Sequence, residues 1–163
     1  MIAIFSTWTT YGTWLPGDER QWFQRGVGIL AGDTRRLLES ALTMTEEAII
    51  LDRGQRSIVE ATIHSHCLFR GWQLHAVNCR TNHVHVAVSA DDCRISIPRE
   101  QFKAWCTRKL KEIVLNRKNW WTQRGWDIAI DDDDSLARVV EYIQNQHLQK
   151  SDEFERTVAG VSG

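Results

Sequence analysis

His83-Val84-His85-Val86-Ala87-Val88-Ser89 alternates with period two, and its reading decides the fold. On a strand, Val84, Val86 and Val88 point to one face while His83, His85, Ala87 and Ser89 point to the other. A face of three valines packs on a core, and the opposite face sets two imidazoles side by side among small residues. Such a pair suits a metal or active site, and it also suits a plain strand face, because His-Val-His arises by chance in many chains. Upstream, Trp72 to Arg80 reads as a second strand and Arg80-Thr81-Asn82 as a turn, which makes a hairpin.

A second stretch gives the histidines a partner. Leu136 to His147 reads as an amphipathic helix with Leu136, Val139, Val140, Ile143 and His147 inward. Arg138, Tyr142, Gln146 and Gln149 or Lys150 lie on its flank. A spacing of four stacks Tyr142 and Gln146 on one side, so a phenol and an amide oxygen are presented together. A tyrosine nucleophile and a third metal ligand have this form. The preceding Asp131-Asp132-Asp133-Asp134 reads as a cap, where acids meet the positive end of the helix dipole, in preference to a metal site.

These residues carry a resemblance. His83-Val84-His85 resembles the His-hydrophobic-His motif of HUH nucleases, and Tyr142 with Gln146 resembles the Tyr-x-x-x-Gln helix of the IS200-like single-tyrosine transposases. Thr7-Trp8-Thr9-Thr10-Tyr11-Gly12-Thr13-Trp14-Leu15-Pro16-Gly17-Asp18 is similar to the start of a branch related to the transposases associated with repetitive extragenic palindromes. The similarity spans roughly residues 1 to 150 as three separated blocks in the family's order. It implies an α+β domain with a ferredoxin-like antiparallel sheet, the His-x-His motif on a central strand and the tyrosine helix beside it. It also implies a metal-dependent single-stranded DNA endonuclease and strand transferase that works through a 5′-phosphotyrosine intermediate and recognises DNA hairpins. Tyr142, His83 and His85 are then catalytic, and His83, His85 and Gln146 hold the metal. Imidazoles alone favour Zn, Fe or Ni, while amide oxygen, water and phosphate shift the balance toward oxygen-loving ions. The family uses Mg or Mn, and these are the expected ions. Some family members are homodimers that exchange tyrosine helices and others are monomers, so both states stay open.

The rest of the chain sets bounds. Its 163 residues suit one domain, residues 1–150, followed by a polar tail at 151–163. A chain of this size buries about 70% of its unfolded surface. The formal net charge of −1 gives no global attraction to nucleic acid, so a DNA site has to be a local patch. The best candidate follows Pro98, which suits the first turn of a helix with Phe102, Cys106, Leu110, Ile113 and Val114 inward. Between residues 98 and 126, Arg99, Lys103, Arg108, Lys109, Lys111, Arg117, Lys118 and Arg124 face only Glu100 and Glu112. Arg99, Lys103, Arg108, Lys111 and Arg124, with Arg138 and Trp14, are the expected DNA contacts. For the lysines, a solvated helix face is the plain alternative.

Met1 to Thr10 reads as a first strand, and Asp52 as the N-cap of a helix running to Arg70 and stopped by Gly71. Ile58, Val59, Ile63 and Cys67 face inward on that helix, and His64 and His66, two apart, point to different sides. Residues 12–44 read as one long loop whose Trp14, Trp22 and Phe23 either stack unpaired bases or pin the loop to the sheet. Trp120 to Ile130 reads as strand, turn, strand about Arg124-Gly125, with Trp120, Trp121 and Trp126 as core or as base platforms. Cys67, Cys79, Cys93 and Cys106 lack the spacing of a zinc knuckle or redox pair and read as buried thiols. Neither a leader nor an apolar run of membrane length is visible, which suggests the cytoplasm of a prokaryote and no membrane partner. Three other readings remain: a replication initiator or relaxase-like nicking enzyme, a domesticated hairpin-DNA-binding protein, and a structural protein with an accidental motif.

Overall fold

A computed structural model describes residues 1–91 and 93–146. The expected inward His147, the flanking Gln149 and Lys150, and the tail from Ser151 lie outside the described residues. The central sheet has four antiparallel strands: β1 (Ala3–Thr9), β4 (Gln73–Cys79), β5 (His83–Ser89) and β6 (Trp126–Ile130), in the order β4-β5-β1-β6. Helix α2 (Arg53–Arg70) connects β1 to β4, α3 (Ile97–Ile113) connects β5 to β6, and α4 (Asp133–Gln144) follows β6. The chain is thus mixed α+β, with β5 and β1 as the inner strands.

Alternation on β5 decides the layering. Val84, Val86 and Val88 are fully buried in one cluster with Ile4 and Trp8 of β1, Val59, Ile63 and Cys67 of α2, and Phe102, Cys106 and Leu110 of α3. Burying each such aliphatic side chain stabilises by about 1.5–3 kcal/mol. Ala87 on the opposite face joins Ala76 and Ile143, with Phe5, Leu136, Val139 and Val140 packed against them. Helices α2 and α3 therefore cover the valine face, and α4 covers the histidine face.

The ends of α2 follow their chemistry. Asp52 accepts the Gln55 amide at 2.8 Å while the Gln55 side chain accepts the Asp52 amide, a reciprocal cap worth about 1 kcal/mol. Gly71 ends the helix at φ +67°, a left-handed conformation that costs glycine nothing. Ile58 is half-buried against the core, and His64 and His66 diverge, the first exposed and the second buried on Gln101.

Several expectations are corrected. Residues 12–44 do not form one irregular loop but carry a hairpin, β2 (Trp22–Gln24) and β3 (Gly28–Leu30), and a helix, α1 (Thr34–Leu42). Asp33 caps α1 by accepting the Arg36 amide, and the buried Trp22 donates its indole N–H to the Ala31 carbonyl, which pins the hairpin. The strand-turn-strand expected at 120–130 keeps only β6. Trp120 and Trp121 are drawn into the core, and Trp121 makes a single bridge to Thr10 rather than pairing with β6. Of the expected inward stripe of α3, Ile113 in the last turn is exposed, while Val114 just past the helix packs half-buried against the core. Cys67, Cys79 and Cys106 are buried thiols, with burial pushing Cys67 up to about 11 and Cys79 up to about 12, but Cys93 is only half-buried.

Candidate active site

On β5 the two imidazoles meet at 4.7 Å between ring centroids and at 75°. His85 is buried. Phe5 stacks on it from β1 at 5.6 Å, and Tyr142 of α4 meets it edge-on, also at 5.6 Å. His83 is half-buried, and its Nδ1 lies 2.7 Å from Asn82 Oδ1. An amide oxygen can only accept, so this contact puts the ring proton on Nδ1 and the lone pair on Nε2. A hydrogen-bond acceptor on the far nitrogen fixes the tautomer and orientation of a metal-binding histidine in this way.

Local chemistry also sets α4 in place. Asp132 accepts the Ser135 amide at 2.8 Å and its hydroxyl at 2.7 Å, and these bonds hold its carboxyl below the usual range. The acidic run thus caps the helix. Leu136, Val139, Val140 and Ile143 lay one side of α4 on the sheet. Asn78, the β4 residue opposite His85, donates its side-chain amide to the Ile143 carbonyl at 2.9 Å. That bond ties the last turn of α4 to the strand beside His85. Tyr142 stands there with an exposed flank, 6.3 Å edge-on from Phe5. Gln146, one turn further on and just past the Asn145 cap, is buried. Among the described residues no three His, Cys, Asp or Glu side chains are grouped to hold a metal. Gln146 carries an amide oxygen, a donor that suits a hard divalent ion beside two imidazoles.

Tyr11, the other tyrosine, is differently engaged. Its hydroxyl oxygen accepts the Thr45 amide at 3.0 Å, and hydrogen bonding with the Thr45 side chain, together with that amide bond, holds its pKa below the ordinary value.

The expected DNA contacts separate into groups. Arg99 forms an ion pair with Asp127 at 2.8 Å, the two side chains being only 11% and 8% exposed. Lys103 donates to the carbonyls of Thr122, Gln123 and Arg124 at 2.5, 3.2 and 3.3 Å. Both are committed to holding the approach to β6, where Gly125 passes so close to β1 that a Cβ would meet the Thr7 carbonyl and the Arg99 side chain at 2.6 Å. Arg108 lies over Trp105 at 4.6 Å, and Lys111 is exposed near the end of α3. Both lie on the valine-face layer, across the sheet from the histidines. Arg124 is exposed two residues before β6, and Arg138 is exposed on α4 with a bond to the Ser135 hydroxyl at 3.1 Å. Trp14 is exposed, with its indole donating to the Gln21 carbonyl and Arg20 over its ring at 5.0 Å.

Burial, and the Arg99 charge beside it, push the Lys103 amine down to about 8 from an ordinary 10.5. Between those values the unfolded chain holds this proton and the folded chain releases it. The stability of the protein relative to Lys103→Met is therefore expected to rise from about pH 7.5 to about pH 10. Urea titrations of both proteins at the two pH values check this, and a flat or falling difference would refute the assigned burial.

Sequence reasoning missed Asn78, Asn82, Phe5 and Asp127 as positioning residues. The position of Asn82, directly before the histidine strand, was the one available signal.

A family model described as "Transposase IS200 like" matches residues 41–146, from the end of α1 to Gln146. A mixed α+β domain with paired histidines beneath a tyrosine helix is thus joined by a sequence match over most of its length. The chain belongs to the IS200-like transposase family. Its fold is similar to that of a REP-associated tyrosine transposase solved with a REP hairpin, with a TM-score of 0.55, 16% identity and coverage of 91% of this chain and 67% of that one. A protein of Deinococcus radiodurans provisionally assigned as a transposase is 14% identical, with 88% of this chain and 89% of that one covered. Its TM-score of 0.45 is too low to bear on the fold. No curated protein matches the chain in sequence. Among the described residues no helix is long and apolar enough to cross a membrane.

Proposed function

We propose that the protein is a metal-dependent single-strand DNA endonuclease and strand transferase on a ferredoxin-like frame, with Tyr142 as nucleophile. The observation that carries this reading is the contact of Tyr142 with His85, beside His83. His83, His85 and Gln146 would hold Mg or Mn, which when bound supplies Lewis-acid polarisation of the scissile phosphate. Tyr142 releases its phenolic proton to solvent, its oxygen bonds to phosphorus as the bond to the 3′-oxygen breaks, and the departing 3′-oxygen takes up a proton from solvent. One fragment leaves with a 3′-hydroxyl and the other stays on Tyr142 through its 5′-phosphate. The bond energy is kept, so a second 3′-hydroxyl reverses the step without ATP. Asn82 and Asn78 act as positioning residues, the first on the His83 ring and the second on the Tyr142 turn.

We assign DNA hairpins as the substrate class. Support comes from family membership and from the fold shared with a transposase solved on a REP hairpin. Arg124 and Arg138 are our first choice for phosphate contacts near the site, with Arg108, Lys111 and Trp14 serving DNA further out. Arg99 and Lys103 contribute by holding residues 122–127 in place. End-labelled hairpin oligonucleotides incubated with Mg or Mn test this reading. A covalent adduct on the 3′-side fragment is expected. An adduct on the opposite fragment, or equal cleavage of blunt duplex, would overturn it.

A further inference from the structure

We infer that Trp126, with Phe23 beside it, is a stacking platform for unpaired bases next to the candidate active site. The inference rests on the DNA reading above and adds a subsite to it. Helix α4 lies over β4 and β5 and reaches Phe5 of β1 at its edge, which leaves the Trp126 and Ile128 stretch of the histidine face without a covering helix among the described residues. Trp126 and Ile128 of β6 are 52% and 47% exposed there. Phe23 of the β2–β3 hairpin, 48% exposed, meets Trp126 edge-on at 6.1 Å. An edge-to-face neighbour steadies an indole without sandwiching it, and half of the Trp126 surface stays exposed. Trp120 and Trp121 are core residues and Trp14 lies beneath Arg20, so Trp126 is the tryptophan of this group with an open setting.

Strand register places the platform. Thr7 of β1 pairs with His85 on one side and with Trp126 on the other, so the three residues form one row across β5, β1 and β6. Neighbouring strands lie about 4.8 Å apart, which puts the Trp126 backbone about 10 Å from that of His85 on the same face. In the next row Phe5, which touches both His85 and Tyr142, pairs with Ile128. The apolar floor is therefore continuous from the candidate site to Trp126. Arg124, exposed two residues earlier, adds positive charge at that end. Aromatic faces beside a cation, continuous with a phosphate-handling site, suit single-stranded nucleic acid, because bases inside a duplex are already stacked on both faces. A strand whose phosphate lies at the histidines brings its next few bases over this floor.

Binding of uncut DNA tests the platform in a Tyr142→Phe background. Fluorescent hairpins carry single-stranded extensions on the 5′ or the 3′ side, either with bases or with abasic linkers. The background protein is expected to bind the base-containing extension on one side about tenfold or more tighter than its abasic counterpart. Trp126→Ala should remove most of that ratio and Trp126→Phe should retain much of it, with the salt dependence of binding unchanged in both. Trp126 is exposed on an edge strand, and circular dichroism confirms that each variant is folded. If Trp126→Ala shows the same base-to-abasic ratio as the background protein, the platform is overturned. A background protein that binds neither hairpin would refute the DNA reading itself, and the platform with it. Intact cleavage by Trp126→Ala with Tyr142 present, together with an unchanged ratio in the Tyr142→Phe background, would remove the platform alone.

Discussion

Tyr142→Phe is expected to abolish cleavage of single-stranded hairpin DNA while leaving binding within about twofold of the parent, because phosphate and base contacts are untouched. The substitution deletes one oxygen and keeps the ring that meets Phe5 at 6.3 Å and His85 at 5.6 Å. The packing of α4 on the sheet is therefore retained. Loss of a nucleophile acts on the scale of about 10⁴-fold or more in rate, since no other step substitutes for the missing bond. Tyr11→Phe is the control. Its hydroxyl accepts the Thr45 amide, and losing that bond costs about 1 kcal/mol of stability without removing a reacting atom. Single-turnover assays on end-labelled hairpins, with denaturing gels to catch the protein-linked fragment, separate the two. Cleavage that survives Tyr142→Phe and disappears in Tyr11→Phe would move the active site to the other end of the chain.

What the sequence disclosed and what it hid divide along physical lines. Period-two alternation places His83 and His85 on one face whatever the tertiary context, and β5 carries them there. The caps at Asp52 and Asp132 are equally local, each a side chain bonding an amide three residues ahead. Charge is less legible: the basic run reads as a set of DNA contacts, and Arg99 and Lys103 are instead turned inward to Asp127 and to three carbonyls. Their partners lie 28 and about 20 residues away, so no local pattern announces them. The tryptophans show the same limit. Trp120, Trp121 and Trp126 share one short segment, yet two are core and one is exposed, because Trp121 bridges Thr10 while Trp126 pairs on the open edge of the sheet. Residues 12–44 hid a hairpin and a helix because their strands have only three residues each and no period can be read from them.

Removing both imidazoles is expected to remove divalent-metal binding. His83 and His85 lie in ring contact, and the Asn82 bond presents the His83 lone pair on Nε2. With Gln146 as third donor, one Mn ion should bind per complete site. Binding to the folded chain alone stabilises it by mass action, by about 2.7 kcal/mol at a hundredfold excess over Kd. For a chain of this length that corresponds to a rise of about 5–10 °C in the unfolding midpoint. The doubly substituted His83→Ala, His85→Ala protein should show no heat of Mn binding and no such rise. His85 is buried against Phe5, so its loss leaves a cavity and the double variant starts from a lower midpoint. The readout is therefore the shift that Mn produces in each protein. His83→Ala alone, at a half-buried position, provides a variant whose packing is little disturbed. It should weaken Mn binding by at least about a hundredfold, since loss of an outer-shell partner of a ligand already costs about ten- to a hundredfold. Titration calorimetry and thermal unfolding, with and without Mn, give two readouts independent of DNA cleavage. Equal Mn binding by the parent and by both variants would show that the paired histidines are not the metal site, and the mechanism built on them would fall.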